Sequence, residues 1–166
     1  IRLLQHALSI AGSQPAEYAP RAHLWLGLAQ RVRATLWLLQ GNMDKAETVA
    51  ATAENELAQA LAAFSPAENP IYHAWTQVSM GTVMRLRAHL AAIRRDQAVD
   101  ATERADANTQ VIDLLNTAIS HYDACLALRD RTAGNVLFQQ RVLACSCEPF
   151  ALEARQVLNS TLEVNP

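Results

Sequence analysis

Four residues in the second half of the chain carry the donor atoms for the most specific chemistry the sequence offers. His121 and Cys125 stand four apart, on one face of any helix that holds them. Cys145 and Cys147 follow in the next hairpin. A His–Cys–Cys–Cys set has the atoms for tetrahedral zinc, but structural zinc is usually announced by two tight CxxC-type pairs, and CxC is weaker. No metal and no cofactor is therefore expected. A disulfide from Cys125 to Cys145 or to Cys147 is the better use of these sulfurs, because adjacent antiparallel helices bring such residues within bonding reach. It would imply an oxidising, extracytoplasmic compartment. Three reduced core thiols in a cytoplasmic protein are the competing reading, and the cytoplasm is the default for them.

Other catalytic signatures are missing from the sequence. It contains no GxSxG, no HExxH and no P-loop. Glu54 and Glu56 are two apart, so a helix points them in different directions. The chain is read as non-catalytic. Arg85, Arg87, Arg94 and Arg95 form the one basic cluster, and acidic residues from Asp96 to Asp106 follow at once. With a formal net charge of −2, this is a self-neutralised surface and not a nucleic-acid site.

The elements that position these residues are helical. Hydrophobic residues make up 51% of the 166, with only 5 Gly and 6 Pro, which favours a packed all-α protein over disorder or sheet. No apolar run approaches the roughly 18 residues of a membrane span. Beginning at Ile1 within a helical pattern, the chain reads as a single helical domain over 1–166 taken from a longer protein. Apolar residues recur with helical period in about seven segments. The first covers 1–12. The second runs from 17 to 40, with Leu24, Leu28, Val32, Leu36 and Leu39 on one stripe, widened by Trp25, Ala29 and Leu38 as if two neighbours pack on it. Gly41 and Asn42 stop it, and Asp44 favours the start of the third. Asn69 and Pro70 open the fourth, to about residue 94. A charged, aperiodic stretch follows over 95–105. The fifth runs over 106–129, a sixth over 136–144, and Pro149 marks the start of the last.

Two segments align on tryptophan. One is Trp25-x2-Leu28-Ala29-x2-Val32 with Ala46-x3-Ala50-x2-Ala53. The other is Trp75-x2-Val78-Ser79-x2-Thr82 with Ala118-x3-Tyr122-x2-Cys125. This spacing resembles the tetratricopeptide repeat, in which small residues on paired helices allow close approach and large ones fill the groove between them. The sequence departs from the family in having Ala29 and Ser79 where Gly is preferred and Val32 and Thr82 where Tyr is preferred. Its tryptophans are also spaced more widely than the usual period of about 34 residues. The resemblance implies antiparallel helical hairpins stacked as a short right-handed superhelix. It also implies a concave surface for a protein or peptide partner, lined by His23, Leu26, Gln30 and Arg33 and by His73, Thr76, Met80 and Val83. Leu26, Trp37 and Met80 are read either as exposed apolar seats for a partner or adjacent domain or, equally, as ordinary core. The implied role is a non-catalytic interaction scaffold; the alternative is a structural bundle that dimerises or supports neighbouring domains. No nucleic acid is expected as a partner.

Overall fold

The turn that stops the second helix shows how local chemistry sets the architecture. Gly41 adopts φ 74°, a left-handed conformation that a Cβ would disfavour. The Asn42 N–H then reaches back to the Trp37 carbonyl and the Gly41 N–H to the Leu38 carbonyl. These bonds satisfy two carbonyls the helix end would otherwise orphan. Asn42 turns at once into a cap: its side-chain oxygen accepts from the Lys45 N–H at 3.2 Å, with Asp44 in the positive first turn. A reversal this tight sends the chain back antiparallel to itself.

A computed structural model describes residues 1–11 and 18–164. Among them there is no strand, and no helix is long and apolar enough to cross a membrane. The helices are α1 (Arg2–Ala11), α2 (Tyr18–Leu39), α3 (Met43–Ala63), α4 (Pro70–Gln97) and α5 (Ala101–Leu126). A 3-10 turn (Asp130–Thr132) leads to α6 (Val136–Phe138), a single turn that continues through a π-helical stretch (Gln139–Cys147) into α7 (Glu148–Val164). Among the described residues six rods thus replace the seven expected, because no break separates the last two. The reason lies in Pro149, whose ring clashes with the carbonyl four residues back in an α-helix. The preceding turns widen to the π register instead, and the Glu148 N–H bonds to Leu143 five residues earlier. The charged 95–105 stretch is also mostly helical. Only Ala98, Val99 and Asp100 interrupt it, and Asp100 is the cap, its carboxylate accepting from the Thr102 and Glu103 N–H groups at 2.6 and 3.2 Å. These bonds hold its carboxyl below the ordinary range.

The chain forms two compact units, Ile1–Met80 and Gly81–Pro166, with the boundary inside α4. In the first unit α2 lies along α3, and α1 packs on α2. The α3 face is a row of small residues, Ala46, Ala50, Ala53 and Ala60, with Leu57 between them, all fully buried. Opposite stand Leu24, Leu26, Gly27, Gln30 and Ala34 of α2. Gly27 marks the closest approach: a Cβ there would lie 2.6 Å from Leu57 Cγ and 3.2 Å from the Ala53 carbonyl oxygen. This corrects the expected α2 stripe. Leu24 is core, but Val32, Leu36 and Leu39 are exposed, because the small residues on the other face allow the tighter fit and dispersion favours the closer contact.

In the second unit, Ala88 and Ala91 of α4 pack against Val111 and Leu115 of α5, joined by Leu158 of α7. Gly81 seats the ring of the fully buried Tyr122, which also packs 6.0 Å from Phe150. Cys125 and Cys147, both without solvent exposure, are joined by a disulfide that ties α5 to the end of the π stretch. Cys145, the other candidate partner, has its side chain outside the described residues.

Burial pushes the Tyr122 hydroxyl up from its ordinary value of 10.0, against smaller opposing effects of Thr82 and Arg85. A raised folded value means that this group's stability is fully present below pH 10 and is lost as pH climbs above it. Tyr122→Phe is therefore expected to flatten the alkaline limb of the stability–pH curve. Denaturation midpoints between pH 8 and 11 check this: the difference between variant and parent stays constant up to about pH 9 and then moves in the variant's favour.

Candidate interaction surface

The first unit leaves one long face of α2 uncovered. Tyr18, Trp25, Val32, Leu36 and Leu39 fall within a narrow arc at helical spacing. Trp25 is 44% exposed, Val32 51%, Leu36 53% and Leu39 78%. Trp75 of α4, 37% exposed, meets Trp25 edge to face with ring centroids 5.7 Å apart. Such a pair is favourable in itself, and it sets two large aromatic surfaces side by side at one end of the stripe. Arg21 lies over the Tyr72 ring, 4.8 Å from its centroid, and Phe64 stacks on the same ring with centroids 5.1 Å apart. The helix contains Arg21, Arg31 and Arg33 and no acidic residue.

The residues implied by the repeat resemblance lie elsewhere. Leu26, Gln30, Thr76, Met80 and Val83 are buried, and a buried side chain offers no surface to a partner. Of the candidate apolar seats, Leu26 and Met80 are thus core, while Trp37 is half-buried with Lys45 Nζ 4.6 Å from its ring centroid. The physical reason is rotation: the arc that faces α3 begins one residue either side of Trp25, which turns Trp25 itself outward. His23 and His73 recur at equivalent positions, but as structural groups. His23 Nδ1 bonds Glu56 Oε2 of α3 at 2.7 Å. The His73 Nδ1–H donates to the Phe64 carbonyl at 2.6 Å, and its Nε2 faces the Gln77 amide at 3.2 Å. The first ties α2 to α3, and the second ties the start of α4 to the end of α3. Arg33 alone of the set is exposed, beside Val32 and near the stripe. The outward stripe had one signal in the sequence. Apolar residues on α2 cover a wider arc than one neighbouring helix needs, and among the described residues the side carrying Trp25, Val32, Leu36 and Leu39 stays exposed.

The zinc reading loses two of its four ligands to the Cys125–Cys147 bond, and among the described residues no three His, Cys, Asp or Glu side chains gather as a metal site. One buried polar atom in the α2–α3 interface is left unsatisfied, the Gln30 side-chain oxygen. An unpaired buried acceptor costs about 1–3 kcal/mol, and methionine fills nearly the same shape without it. Gln30→Met is expected to stabilise the chain by about 1 kcal/mol, read as a rise in the urea midpoint at unchanged slope.

Compared with known proteins, the chain matches no family model, no curated sequence and no solved structure, so the functional reading rests on the geometry alone.

Proposed function

We propose that this chain is a non-catalytic protein–protein interaction module, with tetratricopeptide-like hairpins that present the outward face of α2 to a protein or peptide partner. The observation that carries this reading is the uncovered stripe of Trp25, Val32, Leu36 and Leu39 with Trp75 beside it. Each large apolar side chain left in water forgoes roughly 1.5–3 kcal/mol of burial, and a contiguous row of them marks a surface made to be covered. The tetratricopeptide-like arrangement draws support from the alanine row of α3, the Gly27 approach and the contact between the two marker tryptophans. A second reading, self-association through the same stripe, has the apolar row in its favour.

The test is capture of partners by the 166-residue chain and by its Leu36→Glu variant, with light scattering to give the oligomeric state. The expected result is a monomer whose partner is lost in the variant while helicity is kept. Undiminished capture by a folded Leu36→Glu variant contradicts the proposal, and a dimer that Leu36→Glu dissociates supports the second reading in its place.

A further inference from the structure

The outward face of α2 has a period that narrows what can sit on it. Tyr18, Trp25, Val32 and Leu39 recur every seven residues, and Ala22, Ala29 and Leu36 stand four after the first three. In heptad letters these are the d and a positions, and over about three heptads every one of them is apolar. None is buried among the described residues. Gly27, which meets Leu57 of α3, and the fully buried Ala34 take the f positions on the opposite side. One face of α2 thus closes its own hairpin, and the other is a strict a/d row. Such a row is the narrow seam of a coiled coil, not the broad apolar face of a helix that lies in a membrane surface. Arg33, Thr35 and Gln40 border it, polar and exposed.

A row of period seven drifts about 20° per heptad around a straight α-helix. A partner follows it by wrapping left-handed at about 20°, which is how a second helix packs. An extended peptide finds no open strand edge here, because α2 bonds its backbone internally and the described residues hold no strand. Side-chain size adds a second constraint. Ala22 and Ala29 leave recesses on either side of Trp25, and large side chains of a facing helix enter such holes. A second copy of α2 fits less well. Run parallel, it sets alanine on alanine at 22 and 29 and Trp25 on its own counterpart. Run antiparallel, it layers Leu36 on Trp25 but brings the polar Arg33, Thr35 and Gln40 beside Trp75, whose ring lies 5.7 Å from that of Trp25 and is 37% exposed. We propose that α2 docks an amphipathic helix of another protein as a short left-handed coiled-coil pair, with large aliphatic side chains facing Ala22 and Ala29 and a small one facing Trp25. This rests on the interaction reading and names the class of its partner.

The probe is a synthetic peptide of about three heptads, with leucine at every a, alanine at every d and glutamate, lysine and glutamine elsewhere. A control peptide has the same composition with apolar and polar residues alternating, the pattern of a strand. Binding to the 166-residue chain is read by fluorescence anisotropy and by circular dichroism. The heptad peptide is expected to bind saturably, one per chain, with more helix than the separate spectra sum to. The alternating peptide is expected to bind at least about 10-fold more weakly. Ala29→Glu, checked for retained helicity, puts a carboxylate into the seam and is expected to weaken the heptad peptide by about 10-fold or more. No binding of the heptad peptide, equal binding of the two peptides, or undiminished binding by Ala29→Glu would each overturn the proposal. So would a dimer of the parent chain, or its retention on phosphatidylcholine vesicles, if Ala29→Glu abolishes it, since the seam then belongs to a second copy or to a bilayer. Should the heptad peptide fail while Leu36→Glu still loses its captured partner, the helical occupant falls and the interaction reading stands.

Discussion

Removing the Cys125–Cys147 bond is expected to lower the stability of the second unit by about 3 kcal/mol. The bond joins residues separated by 22 positions, and a loop of that size lowers the entropy of the unfolded chain by roughly this amount. Both sulfurs are fully buried, so a reductant reaches them only through local opening. Reduction should be slow under native conditions and fast in moderate denaturant. The double variant Cys125→Ala/Cys147→Ala avoids leaving buried thiols and measures the same quantity. Hydrogen exchange resolved to peptides checks where the loss falls: protection should drop in α5 and in the Gln139–Cys147 π stretch. A double variant with unchanged protection there would show that packing alone holds the two elements together.

The second large effect is expected at Gly81. A Cβ at this position would lie 2.6 Å from Tyr122 Cε1, 2.8 Å from Cζ and 2.9 Å from Cδ1. The ring has nowhere to go, being fully buried with Phe150 beside it. Alanine in a helix is favoured over glycine by about 1 kcal/mol, which opposes an overpacking penalty of about 1–3 kcal/mol. Gly81→Ala should therefore come out mildly destabilising, and Gly81→Leu should cost about 3 kcal/mol. The cost of Gly81→Ala should shrink once Tyr122 is replaced by Leu, because the two sites share one contact. Gly134, whose Cβ would meet nothing within 4 Å, is the control: Gly134→Ala should change stability by no more than about 0.5 kcal/mol.

How far these features can be read from sequence depends on what fixes each one. The helical class followed from few glycines and prolines and from apolar period. The turn at Gly41 and Asn42 followed from side chains that satisfy their own backbone. Both are local, and both stand in the structure. The register of α2 is not local. Its apolar residues cover so much of the circumference that several rotations bury a similar area, and Gly27 against Leu57 selects one of them. That selection turned Trp25, Val32, Leu36 and Leu39 outward and drew Leu26 and Gln30 in. Of the α2 positions counted from Trp25, Leu26 and Gln30 are therefore buried, while Arg33 is exposed. The sulfur pairing was open for a related reason: Cys145 and Cys147 differ by two residues, and which of them faces α5 depends on the wide π turns that no apolar period announces. The groove lined by Arg85, Arg95, Phe150 and Val157 was invisible as well, since these residues come together only when α7 folds back on α4.

The claim most in need of direct contact evidence is that the outward face of α2 is where a partner sits. A photo-reactive benzoylphenylalanine at position 36, on the stripe, compared with one at position 48, exposed on α3, gives that evidence in the intact protein. Irradiation is predicted to yield a discrete cross-linked partner from position 36 and none from position 48. Equal cross-linking from both positions, or from position 48 alone, would contradict the account.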